Sequence, residues 1–191
     1  GRRYEDCTFI IAHLGGGITV GLHQEGRIVD TLSDDEGSMS PQRAGRIGTK
    51  YMIELCCSGK YTKEELTRMT RGKGGLAAYF GSHDMQELEC AIEQGNACAG
   101  KLYWLMAYQL AGSIASLSAA CKGKVDRIIL TGGLAHSNLF TGWVSERVSF
   151  LAPVVIVPGE QEMQALAEGA LRVLRGEEEP QLYRWLPEGC H

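Results

Sequence analysis

Three consecutive glycines, Gly15, Gly16 and Gly17, separate two apolar stretches, and the element after them decides which folds remain open. Residues 8–14, TFIIAHL, form a short apolar run with the length of a buried strand. After the glycines, ITVGLHQ places Ile18, Val20 and Leu22 on one side of an extended chain. QEGR then turns into RIVDTL, a third strand. The triplet therefore joins strand to strand. A dinucleotide fingerprint or a P-loop needs a helix after its glycines, and the chain has no Gly-Lys-Ser/Thr sequence, so both motifs are disfavoured. Two readings of the turn stay open: bare N–H groups offered to an anion, or a plain glycine-rich connection.

Beyond the strands, DDEGSMSPQRAGRIG has no period and reads as a loop. Residues 50–58 have helical character up to Gly59, and Thr62 followed by Glu65 makes a capping box for another helix. RGKGG, residues 71–75, reads as a second flexible, basic loop. Met85, Leu88 and Ile92 mark an amphipathic helix ending near Gly95. Residues 96–121 are helical in pattern and apolar on several faces, which predicts burial in a core or a subunit interface. VDRIILTGG is a strand running into a glycine pair. A helix with Phe140, Trp143, Val144 and Val148 comes next, then the strand PVVIVPG and a helical stripe from Met163 to Leu174. Residues 177–191 read as an acidic, then irregular tail. The order predicts one α/β domain over 1–191 with a mixed sheet.

Composition excludes several classes. A net charge of -4 gives no electrostatic case for nucleic acid or an anionic membrane. No apolar run reaches the roughly 18 residues that span a bilayer, and Arg2 and Arg3 have no signal-type apolar core behind them. Seven cysteines, Cys56 and Cys57 adjacent and the rest scattered, without a CxxC, predict reduced thiols in a cytoplasmic protein, not a disulfide frame or zinc site.

Three glycine junctions stand out as candidates for a nucleotide site: Gly15–Gly16–Gly17, Gly132–Gly133 and Gly159, the last two at carboxyl ends of strands where ligands of open α/β sheets gather. Arg43 and Arg46, in a glycine-flanked loop, suit bidentate contact with phosphate or carboxylate, or else belong to a solvated surface loop. His13, before the triplet, is either a structural histidine or a residue of the same candidate site, which its position faces. Glu160 and Glu162 could serve a metal-bound water or simply favour a helix N-terminus.

Together these segments resemble the carboxyl-terminal half of the butyrate kinases, in the acetate kinase branch of the acetate kinase–sugar kinase–actin superfamily. The resemblance rests on HLGGGITVG, DDEGSMSPQRAG, CCSGKYTKEEL, GKGGLAAYFG, ILTGGLAHS and PGEQEMQALAEGALRVLRGEEE, in order over residues 4–179. It implies a ribonuclease H-like (actin-like ATPase) domain with helical insertions. It also implies phosphoryl transfer between ATP and a short-chain carboxylate, giving ADP and an acyl phosphate, with Mg2+. By resemblance Arg43 is catalytic with His13 beside the transferring group, and Gly15, Gly16 and Gly17 form a phosphate hairpin. Thr131, Gly132, Gly133, Leu134 and Ala135 bind the nucleoside, and Glu162, less so Glu160, is the magnesium-associated carboxylate. A homo-oligomer is expected, since these kinases associate through this domain.

Ala44 departs from a common serine and Met39 from a bulkier aromatic, so the preferred acid stays open. The family's amino-terminal domain, with another phosphate hairpin, an aspartate and a second arginine, has no counterpart in these residues. The expectation is half an enzyme, inactive alone. The rival from another class is a catalytically silent nucleotide-binding or dimerisation domain. The SPQRAG segment argues against a sugar kinase.

Overall fold

The computed structural model describes residues 2–33, 35–180 and 182. Its contacts divide the chain after Gly159 into a first unit, residues 1–159, and a second, residues 160–191.

The first unit is built on a five-stranded sheet in the order β3-β2-β1-β4-β5. The strands are β1 (Thr8–Leu14), β2 (Ile18–Gln24), β3 (Arg27–Leu32), β4 (Arg127–Gly132) and β5 (Val154–Pro158). The first three form an antiparallel meander, while β4 pairs in parallel with β1 and β5 in parallel with β4. This is the expected mixed sheet, and the first three strands keep the limits read from the sequence.

One face of the sheet makes the core. Ile10, Ala12 and Leu14 of β1 and Ile18, Val20 and Leu22 of β2 are at most 1% exposed, joined by Ile128 and Leu130 of β4. Strand geometry sends alternate side chains to one side, so these positions converge. Helix α5 (Ala97–Ser118) covers them with Tyr103, Met106, Leu110 and Ile114, and α6 (Asn138–Val148) adds Phe140, Val144 and Val148. Each such side chain contributes about 1.5–3 kcal/mol on burial. Asn96 starts α5 by accepting the N–H groups of Cys98 and Ala99, both at 3.1 Å. The helix is apolar beyond its buried face, as its pattern predicts: Trp104, Leu105 and Tyr108 stay exposed.

Between β3 and α5 run α1 (Thr49–Cys57), α2 (Lys63–Thr70), α3 (Leu76–Phe80) and α4 (Met85–Glu93). The capping box is formed: Glu65 N–H donates to Thr62 Oγ1 at 3.2 Å, and Thr62 N–H donates to Glu65 Oε2 at 2.7 Å. The short helix α3 was not legible in the sequence. It enters through Gly75 at φ +63° with no side-chain cap, so it carries neither start signal nor length.

The second unit holds α7 (Glu162–Leu174), and Arg172 pairs with Glu178 at 2.9 Å. Residues 177–180 form neither helix nor strand, and most of the expected tail (181 and 183–191) lies outside the described residues. Among the described residues no helix is long and apolar enough to cross a membrane.

Gly132 closes the first unit's parallel seam. Its φ is +95°, and a Cβ there would sit 2.6 Å from the Leu14 carbonyl oxygen and 2.8 Å from the Leu14 nitrogen. Gly132→Ala should therefore destabilise the fold by about 3 kcal/mol, from left-handed strain plus backbone overlap. Urea unfolding measures this, and an unchanged midpoint would contradict it.

Candidate functional site

The glycine turn between β1 and β2 is closed by Gly15 N–H donating to the Gly17 carbonyl at 3.0 Å. None of the three glycines has φ in the left-handed region. A Cβ at Gly15 would meet its nearest atoms at 3.4 Å, and one at Gly16 would meet the Gln42 side chain at 3.3 Å. Backbone strain is thus not what requires glycine here. What glycine secures is an uncovered main chain.

The Gly16 carbonyl is turned inward. It accepts Gln42 N–H at 2.9 Å and the Ser40 hydroxyl at 2.7 Å. In a planar trans peptide the following N–H points the opposite way, so the Gly17 N–H is directed away from that loop. An outward amide on a bare turn is the anion-binding alternative of the two open readings.

Arg43 sits one turn from that contact, half-buried. Its N–H donates to Ser40 Oγ at 3.0 Å, and its carbonyl accepts Ser40 N–H at 3.1 Å. On the other side the loop meets the 71–75 segment. Gly72 N–H donates to the Gln42 carbonyl at 2.8 Å, Ala44 N–H to Thr70 at 3.0 Å and Leu76 N–H to Ser40 at 3.1 Å. Arg71 grips Asp35 through two bonds, at 2.8 and 2.9 Å. The expectation of a flexible loop at 71–75 is thereby corrected: it is fastened along its length. Glycine is needed for that, since a Cβ on Gly75 would lie 1.9 Å from the Ser40 carbonyl oxygen.

His13 is half-buried on β1, beside Thr131 of β4 and opposite Thr19 of β2 in register. Its Nε2 lies 3.5 Å from the Cβ position of Gly15. The two parallel strands thus bring His13, the triplet and Thr131 to one edge. A 3-10 turn, Gly133–His136, comes directly after β4 and precedes α6. Leu134 and Ala135 are buried, so their side chains serve the core and only their backbone can face a ligand.

A cavity of 480 Å³ opens beside this turn, lined by Gly133, Leu134, His136 and Ser137 on one side and Asp84, Met85, Gln86 and Glu89 on the other. Sequence reading missed the α4 side. Its one signal, Asp84 before an apolar stripe, is accounted for by capping: the carboxylate accepts Gln86 N–H at 2.8 Å. The cavity floor is a polar cluster. The Tyr103 hydroxyl donates to Glu89 Oε1 at 2.8 Å and lies 3.0 Å from Ser137 Oγ, which also donates to that carboxylate. Burial pushes the Tyr103 phenol well above its ordinary value. Ser137 in turn caps α6, accepting Phe140 N–H at 3.0 Å.

Arg46 does not join Arg43. Its guanidinium donates to Ser113 of α5 at 3.1 Å, and it lines a separate cavity with Tyr108 and Arg147. Glu162 is the first residue of α7 in the second unit, where its charge favours the helix N-terminus, and Glu160 precedes it exposed. Among the described residues no three His, Cys, Asp or Glu side chains cluster as a metal cage. The six described cysteines are free.

The cluster under the cavity yields a simple expectation. Tyr103→Phe removes one buried donor and leaves Ser137 to serve Glu89, so it should cost roughly 1–2 kcal/mol of stability. Thermal unfolding of wild type and variant would measure the loss, and equal stability would show that the hydroxyl is dispensable.

Residues 1–150 match the acetokinase family. Butyrate kinase 2 of Clostridium acetobutylicum is 46% identical over 185 residues, 96% of this chain and 52% of that protein. Among solved structures, the acetate kinase of Porphyromonas gingivalis superposes with a TM-score of 0.80 at 22% identity, over 90% of this chain and 50% of that one. A propionate kinase from Francisella tularensis gives 0.72 at 19% identity, over 82% and 47%. These superpositions establish the fold expected for the sheet and its insertions. The chain spans about half the length of the relatives it matches.

Proposed function

This chain belongs to the acetokinase family, and from that premise we propose that it is the carboxyl-terminal, nucleotide-binding half of an ATP-dependent kinase of short-chain carboxylates such as butyrate. One observation carries the reading: the glycine hairpin and the Arg43 loop are hydrogen-bonded to each other through Gly16. A bare anion-facing backbone and an arginine held against it are what a transferring phosphoryl group requires.

In the reaction, a carboxylate oxygen of the acid bonds to the γ-phosphorus of ATP. The bond from that phosphorus to the β-γ bridging oxygen breaks, and ADP leaves with the electron pair. The Gly15–Gly16–Gly17 turn holds phosphate oxygens through its outward backbone, Gly17 N–H foremost, since Gly15 N–H is spent on closing the turn. Arg43 neutralises charge on the group in flight, with His13 next to it. The nucleoside lies along the backbone of Thr131, Gly132, Gly133, Leu134 and Ala135, with Asp84, Met85 and Gln86 as the facing wall. Glu162 would be the carboxylate that holds Mg2+, an ion that takes few protein ligands. When bound, the ion neutralises phosphate charge. Free thiols fit a reducing cytoplasm.

The test is acyl-phosphate formation by protein carrying both halves, over a series of acids from acetate to branched and longer chains. Carboxylate-dependent ADP release is expected, and its absence with every acid would favour the silent nucleotide-binding alternative. Arg43→Ala should lower turnover by roughly two to four orders of magnitude, and Arg43→Lys should recover little because the planar fork is lost. Near-normal turnover in the alanine variant would remove Arg43 from the mechanism.

The same reading includes self-association. Trp104 and Tyr108, stacked with centroids 5.3 Å apart, remain 40% and 55% exposed on α5 beside Leu105. Such an aromatic patch suits an interface. Sedimentation at micromolar concentration should give a dimer or larger species. A monomer would assign the patch to solvent.

A further inference from the structure

Ser40 is fully buried, and every polar atom it has is engaged. Its N–H donates to the Arg43 carbonyl at 3.1 Å and its own carbonyl accepts Leu76 N–H at 3.1 Å. Its hydroxyl accepts Arg43 N–H at 3.0 Å and donates to the Gly16 carbonyl at 2.7 Å. The proton direction is fixed by the partners, since an amide N–H can only donate and a carbonyl can only accept. The result is one continuous chain, Arg43 N–H to Ser40 O–H to Gly16 carbonyl.

We propose that Ser40 is the positioning residue that sets Arg43 in register with the glycine hairpin. The inference rests on the kinase reading of the two elements it joins. Arg43 and the hairpin have to meet the same phosphates from different sides, and neither lies in a helix or strand that would fix their spacing. Ser40 contacts both. Hydrogen bonds in such a chain polarise one another, which stiffens the link beyond its separate parts. Gln42 N–H, at 2.9 Å from the same Gly16 oxygen, is a second tether. Loss of the Ser40 hydroxyl therefore loosens the register of Arg43 without releasing the loop.

A buried serine that served only stability would lower the melting temperature and leave turnover per folded molecule unchanged. A positioning serine acts through Arg43. In the intact two-half protein, Ser40→Ala should lower kcat roughly 10–100-fold, the scale of a small misplacement in a preorganised site, while KM for ATP and for butyrate stays within about threefold. Placed on Arg43→Ala, the same substitution should cost nothing further, because the group it positions is gone. Amide hydrogen exchange supplies a readout without turnover: exchange at Arg43 N–H should accelerate in Ser40→Ala. Ser40→Cys keeps the side-chain shape with a somewhat larger atom and weakens both bonds, and it should give the same ordering should the alanine variant fail to fold.

The proposal is overturned by a kcat within twofold of wild type, by losses that multiply on the Arg43→Ala background, or by unchanged exchange at Arg43. Failure of the kinase reading looks different: turnover is then absent, or indifferent to Arg43, while the exchange measurement still reports on the Ser40 link.

Discussion

A parallel pair of strands cannot be closed by a tight turn, and β1 with β4 is such a pair, with His13 beside Thr131. Much of what is distinctive in this chain stems from that pairing. After Leu14 the chain has to leave the central strand and return beside it at Arg127. The meander, the arginine loop and five helices are all carried on that excursion. Because the two strands run the same way, the turn after β1 and the turn after β4 emerge at one edge. Gly132 marks how tightly the edge is drawn: there is no room for a Cβ between it and Leu14.

The arginine loop has no ladder of its own, so its backbone groups find partners elsewhere. Gly16, Thr70, Gly72 and Leu76 supply main-chain partners, and Gln109 of α5 accepts Met39 N–H at 2.8 Å. Ordering a loop costs about 1–2 kcal/mol per residue in backbone entropy, and these bonds together with the buried Met39 offset it. On the proposed kinase reading, the return is preorganisation. A charge aimed at a transition state helps most when it does not have to move.

The sequence made β2 legible because burial on one face imposes a period of two, which Ile18, Val20 and Leu22 display directly. It made the α2 start legible because a capping box is local. Local pattern alone does not tell Arg43 from Arg46, since both sit in one aperiodic loop; the family resemblance singled out Arg43, and in the structure the distant Ser113 holds Arg46 apart. The close fit of Gly75 on Ser40 and the α4 wall of the cavity were hidden for the same reason: each is a contact between segments far apart in the chain. Gly132 looked like a residue for a ligand because glycine at a strand end fits that pattern. Its closest steric constraint is Leu14.

Helix α5 holds both walls of the site. Tyr103 anchors Glu89 and Ser137 under the cavity, and Gln109 anchors Met39 in the arginine loop. The anchors are six residues apart, roughly 9 Å along a helix axis. An α-helix of this length resists stretching, since each turn is held by its own hydrogen bonds. Asn96 caps its start, and its buried face is locked into the sheet. A tilt of α5 would carry the cavity floor and the arginine loop together. The spacing between them is therefore set by helix geometry, and on the proposed kinase reading a phosphate bound across both would keep its line of approach without help from α1 and α2, which have no buried residue.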